Sequence, residues 1–163
     1  MKRVVIYSDG ASKGNPGDAG IGVVISDTQG NILREIAEYI GKQTNNVAEY
    51  SALIRGLKEA ADLGATQVEI RTDSELLARQ LSGVYKVKAA NLKPLFEEAV
   101  MLLRVFERAT ISHVVRELNK RADELANEGI KKHKNDAHSQ LQGNKPPQAS
   151  GSPKNSRQGR LGL

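Results

Sequence analysis

One stretch near the N-terminus decides the fold: VVIYSDGASKGNPGDAGIGVVI, residues 4–25. Its first four residues are apolar, and the run stops at Ser8-Asp9-Gly10, as in a buried strand that ends at a functional edge. A loop rich in Gly and Pro follows, and residues 20–25 and 32–40 then predict two further strands around a short turn. Because a short connection joins antiparallel neighbours, we expect the chain to open with an antiparallel meander.

Beyond the meander, the apolar pattern predicts helices that alternate with strands. A helix is predicted from about Val47 to Gly64, and two later helices are predicted to begin at the caps Asn91 and Asn119. The predicted order of elements is βββαβααβα. Strands that are separated by helices run parallel, so the sheet is expected to be mixed and covered by helices on both faces.

The composition excludes several kinds of site. The chain has no Cys and three scattered His, so a disulfide, a thiolate zinc site and a histidine-held metal are not expected. A metal would need oxygen ligands, which favours magnesium or manganese. No apolar run is long enough to span a bilayer, and the N-terminus becomes polar too soon for a signal peptide. We therefore expect a cytoplasmic protein without membrane contact, and no feature demands more than a monomer.

The length of 163 residues predicts one domain and one site. We place the domain at residues 1–133, followed by a disordered, basic, low-complexity tail at residues 134–163. Residues 131–163 hold seven Lys or Arg and one acid, whereas residues 1–130 hold 17 basic and 18 acidic residues. The net charge of +5 is thus a property of the tail. The tail either binds phosphates or is a dispensable aid to solubility.

Four acidic residues lie at positions where an ordinary solvent-exposed side chain is not expected. Asp9 and Asp73 end predicted strands, and Glu49 and Asp123 lie in the first turns of predicted helices. Ligands of such sheets gather at the carboxyl ends of the parallel strands. Clustered carboxylates repel one another, and a divalent cation removes that cost. Each acid alone also fits an ordinary turn, cap or helix N-terminus.

Four motifs, taken in order and spacing, resemble those of the ribonuclease H type 1 family over about residues 4–130. They are YSDGASKGNPGDAGIGVVI (7–25), TNNVAEYSALIRGL (44–57), IRTDSELLARQLSG (70–83) and HVVRELNKRADELAN (113–127). The resemblance implies the α/β ribonuclease H-like fold, with a five-stranded mixed sheet in the order 3-2-1-4-5. It also implies an endonuclease that hydrolyses the RNA strand of RNA–DNA hybrids and leaves 5′-phosphate and 3′-hydroxyl ends. Weak cleavage of double-stranded RNA is an accompanying expectation.

The same resemblance implies the roles of individual residues. The family's catalytic and metal-binding carboxylates fall on Asp9, Glu49, Asp73 and Asp123, which would hold two Mg²⁺ ions that Mn²⁺ can replace. Glu49 would also face the RNA 2′-hydroxyl, the group that separates RNA from DNA. The family's contacts with the hybrid fall on Gly10, Asn15, Thr44, Asn45 and Asn46.

The chain departs from the better-known bacterial form of the family at two places. Residues 113–119 are too short for its His-bearing loop, and residues 82–88 are too short for its basic protrusion, as in a compact branch of the family. Arg116 is then a candidate catalytic residue that contacts phosphate, or it forms an ion pair at the helix start. The alternative function is an inactive hybrid-binding module, which would have no need of four carboxylates.

Overall fold

The computed structural model describes residues 2–143, with side chains described for residues 2–140. The chain divides into two units, Met1–Lys131 and Lys132–Leu163. No helix among the described residues combines the length and the hydropathy that a bilayer span requires. The elements are, in chain order, β1 (Arg3–Ser12), β2 (Gly17–Ser26), β3 (Ile32–Gln43), α1 (Asn45–Asp62), β4 (Gln67–Thr72), α2 (Glu75–Leu81), α3 (Lys93–Leu103), β5 (Arg108–His113), a 3-10 helix (Arg116–Asn119) and α4 (Lys120–Gly143).

The five strands form one mixed sheet in the order β3-β2-β1-β4-β5. β2 pairs antiparallel with both β1 and β3, because these strands follow one another through short turns. β4 pairs parallel with both β1 and β5, because a helix intervenes each time along the chain. The predicted mixed sheet and its order are confirmed.

Close contacts at glycines show which helix lies on which face of the sheet. A Cβ on Gly56 of α1 would lie 2.8 Å from the side chain of Ile6, so α1 packs on that face of β1. A Cβ on Gly22 would lie 1.9 Å from the carbonyl oxygen of Ala122, so α4 packs against the backbone of β2. Gly22 pairs with Asp9 across the ladder, and side chains alternate between faces along a strand. Helices therefore cover both faces, and Asp9 lies on the α4 side.

The end of β1 differs from the prediction. The strand continues to Ser12, so Asp9 does not end it, because β2 keeps pairing as far as Ser12 with Ala19. The parallel pairing with β4, however, stops at Ser8 with Thr72. Asp9 is thus the first residue of β1 beyond its parallel neighbour, and one side of the strand is open there.

The two predicted caps are also wrong. The residue before α3 is Leu92, which makes no side-chain cap bond, and its N–H donates to the carbonyl of Ala89. Pro94 in the first turn lacks an N–H, so fewer amides need a cap. Asn119 precedes α4, but its side-chain oxygen accepts no hydrogen bond from any described residue and therefore does not cap the helix.

The C-terminal helix extends past the predicted domain boundary. We predict disorder from residue 134, whereas α4 continues to Gly143. Gly and Pro are the strongest helix breakers, and none lies between Gly129 and Gly143, so a helix that begins on the core can continue past it. Residues 144–163, the remainder of the predicted tail, lie outside the described residues.

Candidate active site

A pocket of about 340 Å³ opens where β1 continues beyond β4, and all four predicted acids line it. Carboxylate oxygens of Asp9, Glu49 and Asp73 lie within 4.8 Å of one another. Asp123 lies on the pocket wall outside that closest group. The structure thus brings three of the four acids to one point and places the fourth beside them.

Glu49 reaches the pocket because α1 begins against β1. The Oγ1 atom of Thr44 caps the helix by accepting the N–H of Val47 at 3.3 Å. One turn later, Oε1 of Glu49 accepts the N–H of Gly10 at 2.9 Å. A Cβ on Gly10 would lie 2.2 Å from the carbonyl carbon of Ala48, so only glycine lets the helix approach this closely. Gly10 therefore allows Glu49 to be buried beside Asp9.

Asp73 follows β4 directly and is held by a buried amide. The Nδ2 atom of Asn119 donates to Oδ1 of Asp73 at 3.1 Å and to the carbonyl oxygen of Ser8 at 2.8 Å. Asn119 is 1% exposed, and its bond to Ser8 is buried while its bond to Asp73 is partly buried. It thereby fixes Asp73 relative to the end of β1. The position of Asn119 at the start of the last helix predicts a cap, and no local pattern predicts its contact with Asp73.

Burial and mutual repulsion dominate the electrostatics of the closest group. Among the described residues, Asp9, Glu49 and Asp73 form no ion pair. Burial raises the pKa of Asp9 far above its ordinary value, and the charges of Glu49 and Asp73 raise it further. Burial also raises the pKa of Glu49, although the Gly10 N–H opposes the rise. Three buried carboxylates that repel one another provide oxygen ligands of the kind that a hard divalent cation such as Mg²⁺ or Mn²⁺ prefers.

Asp123 has polar neighbours on the pocket wall. Nη2 of Arg116 lies 3.8 Å from its Oδ1, and Arg116 itself is 77% exposed. Asn127, one turn later on α4, donates to the carbonyl oxygen of Asp123 at 2.9 Å. Asn127 in turn accepts a hydrogen bond from Nζ of Lys13 at 2.7 Å. Lys13 and Asn127 are not among the site residues that the sequence predicts. For Asn127 a signal exists, because it follows Asp123 by four residues and so lies on the same face of the helix as Asp123.

The predicted substrate contacts divide into two groups. Gly10 and Asn45 line the pocket. Asn15, Thr44 and Asn46 are not among its lining residues. Oδ1 of Asn15 accepts the N–H of Asn45 at 3.1 Å, so these two residues join the β1–β2 loop to the start of α1. Asn15 and Asn46 are exposed beside the pocket, where a long substrate could reach them.

Fold and site together define an α/β protein with a cluster of acids beyond the carboxyl end of β4, beside the central strand β1 of a mixed sheet. Comparison with known proteins places it more closely, since a family model described as reverse transcriptase-like matches residues 7–129. Ribonuclease HI of Halobacterium salinarum is 45% identical over 128 residues, which cover 78% of this chain and 64% of that protein. Its crystal structure matches with a TM-score of 0.78, covering 80% of this chain and 98% of that one.

Two other similar proteins are also ribonucleases H. Ribonuclease H of Coxiella burnetii is 36% identical over 141 residues, which cover 78% of this chain and 89% of that protein. LC11-RNase H1, isolated from compost by a metagenomic approach, has been crystallised with an RNA/DNA hybrid. That structure is 49% identical, has a TM-score of 0.77, and covers 80% of this chain and 98% of its own.

The chain belongs to the ribonuclease H family, as its motifs predict. It spans 64% of the length of the Halobacterium protein, just under two thirds.

Proposed function

We propose that this chain is a cation-dependent endoribonuclease that hydrolyses the RNA strand of RNA–DNA hybrids and leaves 5′-phosphate and 3′-hydroxyl ends. One observation carries the proposal: carboxylate oxygens of Asp9, Glu49 and Asp73 lie within 4.8 Å of one another, with no ion pair to any residue that the structure describes. Such a cluster is unfavourable unless a cation neutralises it. The choice of substrate is supported by the hybrid bound to LC11-RNase H1, which is 49% identical.

We assign cation binding and catalysis to Asp9, Glu49, Asp73 and Asp123, with two Mg²⁺ ions that Mn²⁺ can replace. Bound cations would supply an activated water and stabilise the leaving 3′ oxygen. The chain's own residues orient the ligands: the N–H of Gly10 holds Glu49, and the side-chain amide of Asn119 holds Asp73. Asp123 lies outside the closest group, and we assign it to the second ion.

Recognition of the hybrid is assigned to the rim of the pocket. Shape and sugar contacts distinguish a hybrid from other duplexes without reading its sequence, so no base preference is expected. Arg116 stays protonated and would contact phosphate, because guanidinium is no general base at neutral pH. Double-stranded RNA would be cut weakly. The residues proposed for these rim contacts are Gly10, Asn15, Thr44, Asn45 and Asn46.

A comparison of three duplexes tests the substrate. The full chain is given RNA–DNA, RNA–RNA and DNA–DNA duplexes of one sequence in MgCl₂, with each strand labelled in turn. We expect fast cleavage of the RNA strand of the hybrid, weak cleavage of RNA–RNA and none of DNA–DNA. DNA–DNA cleavage as fast as hybrid cleavage would overturn the substrate assignment. Hybrid binding without any cleavage would instead identify the inactive binding module.

We further propose that residues 1–133 carry the activity, that the tail is dispensable, and that the chain acts as a cytoplasmic monomer. Removal of residues 144–163 keeps α4 intact and takes away four basic residues. Hybrid affinity and its salt dependence should then stay unchanged. A clear loss of both would assign phosphate binding to the tail. Light scattering gives the oligomeric state, and cell fractionation gives the location.

A further inference from the structure

Two basic side chains, Lys13 and Arg116, stand on the pocket wall among the four acids. Arg116 is near Asp123, but Lys13 forms no ion pair among the described residues. Its ammonium donates instead to the neutral side-chain oxygen of Asn127, at 2.7 Å. Lys58, by contrast, pairs with Glu98 at 3.0 Å. The positive charge of Lys13 is therefore not neutralised by a protein carboxylate.

Lys13 is also held in place from both ends. Its backbone N–H donates to the carbonyl oxygen of Asp18 at 2.8 Å, which closes the β1–β2 loop. Its side chain is held by Asn127, whose own Nδ2 donates to the carbonyl oxygen of Asp123 at 2.9 Å. An amide oxygen orients an ammonium group without cancelling its charge. A preorganised cation of this kind loses less conformational entropy when an anion binds.

We propose that Lys13 binds a backbone phosphate of the hybrid beside the cleavage site, and that Asn127 positions it. The inference rests on the proposed function, and it adds a substrate contact from outside the predicted set. A phosphate that enters a pocket with four acids is repelled until cations neutralise them. Lys13 then presents a fixed positive charge to the phosphate on the same wall. A phosphate contact carries no sequence information, so the effect should be the same for any hybrid.

Binding measurements with a charge-neutral variant test this contact. Lys13→Gln, Lys13→Arg and the control Lys58→Gln are each made in an Asp9→Asn background, where binding is followed without cleavage by fluorescence anisotropy in MgCl₂. We expect Lys13→Gln to weaken binding roughly fivefold and to reduce the slope of log affinity against log salt by about 1. Lys13→Arg should retain both values, and Lys58→Gln should match the background. Two hybrids of unrelated sequence should give the same loss.

An unchanged affinity and slope in Lys13→Gln would overturn the inference. So would equal losses in Lys13→Gln and Lys13→Arg, because then the charge is not what matters. Steady-state cleavage by the otherwise wild-type chain gives a second reading, in which Lys13→Gln should raise KM and leave kcat nearly unchanged. Failure of the proposed function looks different: the background protein would bind no hybrid, or the wild-type chain would cut none.

Discussion

Acidic side chains occupy two contrasting environments in this molecule, the surface where β3 meets α1 and α4, and the pocket at the open end of β1. At the surface, Glu59 accepts hydrogen bonds from Arg55 at 2.9 Å and Arg34 at 2.5 Å. Glu35 likewise accepts from Arg121 at 2.9 and 3.0 Å. These arginines lower the pKa of Glu59 and of Glu35.

In the pocket the pKa of the acids shifts in the opposite direction. Asp9 and Glu49 are buried beside Asp73 with no basic partner in the part of the chain that the structure describes, and the pKa of Asp9 and of Glu49 is raised. Paired surface acids add modestly to stability, whereas the buried cluster costs stability in the metal-free protein. Clusters that cost stability in this way are expected at functional sites. The difference favours the pocket, and not the surface with its paired acids, as the cation site that we propose.

The largest effect is expected from Asp9→Asn, which removes a charge but almost no volume. Cleavage of a hybrid in MgCl₂ should fall by at least about a thousandfold, because the cation site loses a ligand charge. Asp62→Asn is the matched control, since Asp62 is an exposed acid that pairs with Arg34 at the surface. Its cleavage rate should equal that of the wild type. Near wild-type turnover by Asp9→Asn would remove Asp9 from the site.

The same substitution should stabilise the metal-free protein. Folding raises the pKa of Asp9, so at neutral pH the folded protein must take up a proton that the unfolded chain has released. Removal of this cost in Asp9→Asn is expected to raise the free energy of unfolding by about 1–2 kcal/mol at neutral pH, as measured in urea. Added Mg²⁺ should stabilise the wild type and have much less effect on the variant. A less stable Asp9→Asn protein would show that the cluster is not under electrostatic strain.

The two environments should also respond to pH in opposite directions. Because the pKa of Asp9 and of Glu49 is raised by folding, the folded state holds protons that the unfolded chain has released. Metal-free stability from this source therefore declines as pH rises from about 4 towards neutral and beyond. Asp9→Asn should flatten that decline in urea titrations across the range. An equally steep decline in the variant would contradict the raised pKa values.

The smallest effect is expected from Glu59→Gln, which removes an acid that is paired with arginines at the surface. Glu59→Gln should lower the free energy of unfolding by about 0.5–1 kcal/mol and leave hybrid cleavage unchanged. Because the pKa of Glu59 is lowered, its contribution is present above the ordinary carboxyl range and disappears as pH falls through the lowered pKa. Unfolding curves of variant and wild type should therefore converge in acid. A difference that persists in acid would show that the loss is one of packing.

Much of the fold could be predicted because local chemistry and overall topology agree. The short turn between β2 and β3 and the helices between parallel strands are enough for a mixed sheet, and the family motifs supply its order. The end of β1 could not be predicted, since it depends on which neighbour continues to pair beyond Ser8. The length of α4 does not follow from the low apolar content of residues 134–143, because a helix that begins on the core can continue past it where Gly and Pro are absent.

For the site, too, the sequence predicts the residues better than the contacts between them. Residue type and motif identified Asp9, Glu49, Asp73 and Asp123, and the structure lines one pocket with all four. The contacts around these four acids could not be predicted from the sequence. Asn119 resembles a cap until its contact with Asp73 is known, and Lys13 resembles a solvated loop lysine until its amide partner is known. Both contacts join residues more than 40 positions apart, which no local pattern reports.

The most direct test of a cation site in the pocket is calorimetric titration of the metal-free full chain with MnCl₂, alongside Asp9→Asn and Asp62→Asn. We expect saturable binding to the wild type and to Asp62→Asn with equal affinity, and at least tenfold weaker binding to Asp9→Asn. Equal affinity in all three proteins would place the cations elsewhere and contradict the assignment of the four carboxylates.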